Sequence, residues 1–184
     1  MRLRSSCSLR KLVLLTCLGG FFGAAPAGAE MLVFSTPQGN ISWPKLPDMP
    51  EWHQDQESSL RLEANSVIPD GVDPANAEVK IEARGFARHG NGGSTSLDQL
   101  LESDRAAAPA GTQVKQLDDV ADKDGTPFHL YAFTAEGSHR VMAYSEEGDY
   151  FLAFTFLARS QAAYDSNFPV FVSLIRKYAK DIPW

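Results

Sequence analysis

Three glycine-bearing turns cut the stretch from Val114 to Leu157 into four alternating apolar runs, and they constrain the fold more than any other feature of the chain. Asp124-Gly125, Glu136-Gly137 and Glu146-Glu147-Gly148-Asp149 each supply a residue that tolerates positive φ, as tight hairpins require. The spacing predicts strands over 114–120, 128–134, 139–145 and 150–157, each antiparallel to the one before it. With a two-residue loop at Glu136-Gly137, His139 faces Thr134 and His129 faces Tyr144. The last run is largely apolar on both sides, with Leu152, Phe154 and Phe156 on one and Phe151, Ala153 and Leu157 on the other. Such a strand is covered on both faces.

Around this meander the periodicity alternates between two and 3.6. Ser59 to Val67 alternates and predicts a strand, followed by the turn Pro69-Asp70-Gly71. Ala77 to Arg88 alternates apolar and charged residues, the clearest half-exposed strand of the chain. Ser96, with Gln99 three residues on, reads as a capping box opening a helix with Leu97, Leu100 and Leu101 on one stripe. That helix ends by Pro109-Ala110-Gly111. Residues 162–178 read as a final helix with Pro169 marking a restart. Its stripe is Phe171, Leu174, Ile175 and Tyr178, and Arg176, Lys177 and Lys180 complement its negative end. The expected fold is α+β, an antiparallel sheet with helices packed on it.

The N-terminus reads as an address. Arg2, Arg4, Arg10 and Lys11 precede an apolar run from Leu12 to Phe22, and Ala27-Gly28-Ala29 offers a small-x-small cleavage site. Residues 1–29 are therefore expected to be a signal peptide, 30–53 a proline-rich segment and 54–184 a single α+β domain. Processing as a lipoprotein through Cys17 is the alternative, although Thr16 is a poor residue before a lipidated cysteine. No later run is apolar enough to span a bilayer. The expected location is the periplasm, or the medium after release.

Removing residues 1–29 takes four of the 17 basic side chains and none of the 23 acidic ones, which leaves a net charge of −10 on 155 residues. That surface repels phosphate backbones, so nucleic acid is a poor partner. Both cysteines, Cys7 and Cys17, lie in the leader. The mature chain then has no thiol for disulfides, catalysis or zinc, and its core alone must hold the fold.

Within 30–53, Met31 to Phe34 reads as a short strand, with Pro37 and Gly39 as a turn. Pro44, Pro47 and Pro50 then recur every third residue between Trp43 and Trp52, the period of a polyproline II helix. Trp43, Pro44, Pro47, Pro50 and Trp52 are candidate docking residues for a partner's aromatic groove. The other reading is a stiff connector whose tryptophans pack on the domain.

Motifs that carry chemistry are weak. The Gly90 to Ser96 loop lacks the Lys-Ser/Thr ending of a P-loop and reads as a surface loop. Asp122-Lys123-Asp124-Gly125 matches the middle of a calcium loop, but its first and twelfth positions would be Val120 and Tyr131, where acids belong. His53, His89, His129 and His139 show no ligand spacing, and no Gly-x-Ser-x-Gly elbow is present. No catalytic or metal residue and no cofactor is assigned.

From the helix at Ser96-Leu97-Asp98-Gln99-Leu100, through the meander ending Tyr150-Phe151-Leu152-Ala153-Phe154, to Phe171-Val172-Ser173-Leu174-Ile175, the chain resembles the Mog1/PsbP-like fold, including small bacterial envelope proteins of the DcrB type. That resemblance implies a non-enzymatic accessory module that binds another protein, and it carries over no site residues. The expected function is an exported, non-catalytic domain that binds another envelope protein. The alternative is a small-ligand or lipid carrier, with Phe128, Tyr131, Phe133, Tyr150 and Phe154 lining a pocket between sheet and helices. A hydrolase without a recognisable motif is the third reading.

Overall fold

The computed structural model describes residues 31–179, apart from 37–38, 89–95 and 149. The leader read into 1–29 lies outside the described residues, as does the Gly90 to Ser96 loop except for Ser96 itself. Among the described residues no helix is long and apolar enough to cross a membrane.

The fold is α+β. A hairpin of β1 (Met31–Thr36) and β2 (Gly39–Pro44) stands beside one large antiparallel sheet. The sheet contains β3 (Trp52–Gln54), β4 (Asn65–Pro69), β5 (Val79–Ala87), β6 (Gln113–Gln116), β7 (Val120–Ala121), β8 (Pro127–Ala135), β9 (Ser138–Glu147) and β10 (Tyr150–Ala158). Their order is β3-β4-β5-β10-β9-β8-β6, with β7 also paired to β8. The meander thus supplies five strands, β6 to β10, of an eight-stranded sheet, and β10 lies at the centre of that sheet between β5 and β9. The expected register holds, with His139 opposite Thr134 and His129 opposite Tyr144. Gly125 and Gly137 adopt φ of +84° and +69°, the left-handed region for which glycine stands in these turns.

Among the described residues three helices accompany the sheet: α1 (Gln56–Leu62), α2 (Leu97–Ala107) and α3 (Gln161–Lys177). The central strands are covered on both sides. Leu152, Phe154 and Phe156 pack with Phe171, Leu174 and Ile175 of α3. On the opposite face Phe151 and Ala153 join Met142, Tyr144 and Phe133 under Leu100 and Leu101 of α2. Ser96 caps α2 by accepting the Gln99 N–H, as its sequence position predicts.

Three expectations are corrected. The alternation from Ser59 to Val67 does not make one strand, because α1 occupies its first half. Asp55 forces the helix: its side chain accepts the Ser58 N–H at 3.1 Å, and its carbonyl accepts the Ser59 hydroxyl at 2.7 Å. Glu63 then ends the helix at φ +51°, leaving Leu60 46% exposed and making the apparent alternation accidental. Pro169 does not restart the last helix either, since α3 runs continuously through it. Pro169 and Asp165, the residue whose carbonyl loses its N–H partner, are both exposed, so water can satisfy that carbonyl.

The third correction concerns 114–120, which splits into β6 and β7. Gln116 pairs with Tyr131 and Val120 with Phe128, so three residues, Leu117 to Asp119, oppose two on β8. The extra residue is a β-bulge, and it turns the strand over. Val114 therefore packs on the α2 face while Val120 joins the α3 face.

Asp55 carries a pH prediction. Burial pushes its carboxyl up, but hydrogen bonds from Ser58 and the charges of Lys80 and Arg61 outweigh it and hold it below the ordinary value. A depressed folded pKa gives stability above about pH 4 that is lost as pH falls through the folded value. Asp55→Ala is expected to lose roughly 0.5–2 kcal/mol near neutral pH. The gap between variant and parent should narrow in acid, read from urea midpoints across a pH series. A gap independent of pH would mean that the charged carboxylate is not what caps α1.

Candidate functional site

The bulge and the short α2 leave an open groove of about 380 Å³ between helix and sheet. Leu97, Asp98 and Leu101 line it from α2, Gln116 from β6, His129 and Tyr131 from β8, and Tyr144 and Glu146 from β9. Its volume falls among those that seat small ligands or a side chain. Alternation along β8 and β9 explains its composition. Tyr131 and Tyr144 point to the α2 face, while Leu130 and Ala143 point to the α3 core.

Buried hydrogen bonding fixes the walls. Tyr144 donates to Asp104 Oδ2 of α2 at 2.5 Å, and its ring lies 6.1 Å from that of Tyr131. Burial, reinforced by the Asp104 carboxylate, pushes the Tyr144 hydroxyl far above the ordinary phenol range, so it stays a donor and ties α2 to the sheet. At the rim, His129 Nδ1 lies 2.9 Å from Asp119 Oδ2, with both side chains partly exposed. Arg88 pairs with Glu146 and lays its guanidinium over the Phe151 ring at 4.6 Å. On the same face Arg140 stacks over Phe133 at 4.5 Å and donates toward the Asp104 carbonyl.

The sequence-derived docking residues lie elsewhere. Trp43 is 1% exposed and Pro44 is buried, its carbonyl accepting from Asn65 Nδ2 at 3.1 Å. Trp52 begins β3 and packs with Leu46 and Met49 against the α3-side core. Pro47 and Pro50 line a crevice of about 120 Å³ against Val170, Ser173, Leu174 and Lys177. The three prolines run from buried through half-buried to exposed, and a turn at Met49–Trp52 ends the segment.

The described histidines are held apart, and His89 lies outside the described residues. His129 is on the α2 face, whereas His139 meets the Tyr164 ring of α3 at 5.4 Å. His53 pairs with Asp70 at 3.0 Å on the surface. Asp122, from the calcium-like stretch, is buried and accepts the Asp124 and Thr126 N–H groups at 2.9 and 2.7 Å, which shapes the turn. Among the described residues no three His, Cys, Asp or Glu side chains converge as metal ligands do. The aromatics expected to share one pocket separate: Phe128 and Phe154 are in the α3-side core, Phe133 is in the α2-side core, and only Tyr131 of the five lines the groove.

The groove was not legible in any local motif, because its residues come from four elements. Its one sequence signal is the pair Tyr131 and Tyr144, large and polar-tipped on strands whose register was readable.

The class this architecture defines is an antiparallel α+β sheet with one helix layer on each face. No protein-family model and no curated protein matches the chain. Among solved structures it is similar to PA94, a protein of unknown function from Pseudomonas aeruginosa, at 12% identity and a TM-score of 0.43, covering 84% of this chain and 99% of that one. It is also similar to cyanobacterial PsbP (CyanoP) from Synechocystis sp. PCC 6803, at 13% identity and a TM-score of 0.40, covering 85% and 95%.

Proposed function

We propose that the chain is an exported, non-catalytic accessory domain that binds another envelope protein, in the manner of the small bacterial DcrB-type proteins its C-terminal half resembles. The leader-like N-terminus supports export, to the periplasm or the medium. The observation that carries the binding reading is the α2–sheet groove. Its floor is apolar and aromatic, from Leu97, Leu101, Tyr131 and Tyr144, and its rim is polar, from Asp98, Gln116, His129 and Glu146. An apolar centre within a polar, wet rim is the make-up of a non-obligate docking surface.

The test is a photo-crosslinking residue placed at Gln116, on the rim, in cells that express the chain. Asp165, exposed on α3, is the control position. A reproducible crosslinked protein at 116 and none at 165 is the expected outcome. No product at 116 with the chain expressed, or equal products at both positions, would overturn the reading.

A further inference from the structure

We propose that the α2–sheet groove receives an arginine side chain presented by an extended basic segment of the partner. The inference rests on the docking reading above and names the chemistry the groove takes.

The α2 face of the sheet already binds guanidinium groups twice with the chain's own residues. Arg88 covers Phe151 and is held by Glu146; Arg140 covers Phe133 beside the end of α2. Both places combine an aromatic face with an oxygen acceptor, which is where a weakly hydrated planar cation is most stable. The groove brings an aromatic face and carboxylates together again, with Glu146 shared with Arg88. Tyr131 supplies the open ring face over the buried Tyr144, Leu97 and Leu101 supply apolar wall for an aliphatic stem, and Asp98 and Glu146 stand at the rim. Tyr131 is half-buried and lines the open space, whereas Phe133 and Phe151 are buried beneath their arginines.

Charge favours the same occupant. Asp98 and Glu146 line the groove, Asp119 meets His129 at its rim, Arg88 pairs with Glu146, and the chain beyond residue 29 carries −10 overall. An anionic ligand would meet carboxylates, and an acyl chain would desolvate the exposed Asp98 carboxylate. Arginine rather than lysine fits because the planar guanidinium can stack on a tyrosine while donating to a carboxylate at its edge.

The test is a titration of the isotope-labelled protein with a short peptide bearing one arginine between uncharged residues, followed by amide chemical shifts. Its citrulline and lysine counterparts, and free arginine, are titrated alongside. The arginine peptide should shift Leu97, Asp98, Gln116, Tyr131 and Glu146, and citrulline should abolish the effect. Tyr131→Leu and Glu146→Gln should each weaken binding by roughly fivefold to thirtyfold, with Tyr131→Phe restoring it. An unchanged melting temperature in each variant shows that the fold is intact.

Citrulline binding as well as arginine, or shifts confined to another face, would overturn the proposal. Free arginine binding as tightly as the peptide would overturn a partner segment in favour of a small molecule. A crosslink at Gln116 that survives Tyr131→Leu and Glu146→Gln would leave the docking reading standing and remove arginine from it.

Discussion

Phe156→Ala should lower folding stability by about 3–5 kcal/mol. Phe156 is fully buried near the end of the central strand, and its ring meets Phe171 at 5.6 Å, Tyr164 at 5.9 Å and Phe168 at 6.2 Å. All three partners belong to α3, so this one ring joins sheet to helix. Removing it forfeits the transfer free energy of the ring and leaves a cavity that stiff aromatic neighbours cannot collapse into. A domain of this size holds about 5–15 kcal/mol in total, so the loss is a large share. Urea unfolding should show a lower midpoint at unchanged slope. A loss under about 1 kcal/mol would mean that α3 is not seated on β10 as described.

Trp43→Ala should cost a similar amount, about 3–5 kcal/mol, with a different signature. Trp43 sits in β2, which lies against β5, and the following carbonyl, of Pro44, accepts from the buried Asn65 side chain. The residue therefore fastens the start of the proline segment to the sheet, while Trp52 fastens its end. Without the first anchor, Leu46 and Met49 lose their fixed approach to the core. Beyond the fall in stability, the amides of Lys45, Leu46, Asp48 and Met49 should exchange faster than those of α3. Unfolding at the parent midpoint would show that the N-terminal hairpin contributes nothing to the cooperative unit.

The meander was readable because its information is local. Each turn announces itself by glycine, each strand by period two, and a two-residue loop fixes the register of everything it joins. The final strand's double apolar character correctly indicated cover on both sides, and Ser96 marked the start of α2. What escaped was set by single polar side chains or by distant pairings. Asp55 converts an alternating stretch into a helix with a side-chain cap that outweighs weak periodicity. Pro169 is tolerated because its face of α3 meets solvent, which no sequence pattern states. The pairing of β5 with β10 joins Ala87 to Tyr150 across the whole of α2 and three hairpins, and nothing near either strand indicates it.

The groove shares that difficulty. Tyr131 and Tyr144 are adjacent only once β8 and β9 pair, and they line a cavity only once α2 has docked beside them. The bulge at Leu117 to Asp119 brings Asp119 against His129, a juxtaposition an unbroken strand would not have given. The proline segment stood out in sequence for the opposite reason. Its period is conspicuous, yet its tryptophans serve the domain's own packing.

The position of β10 bears on when the protein can fold. It is the last of the described strands and the middle strand of the sheet, so the two halves cannot be joined until residues 150–158 have been delivered. Before then β5 and β9 each lack a neighbour, and α3, which roofs the larger core, has yet to follow. Closing a pairing of such long sequence separation is slow relative to local hairpins. A ribosome would therefore release most of this chain before a stable native sheet could form.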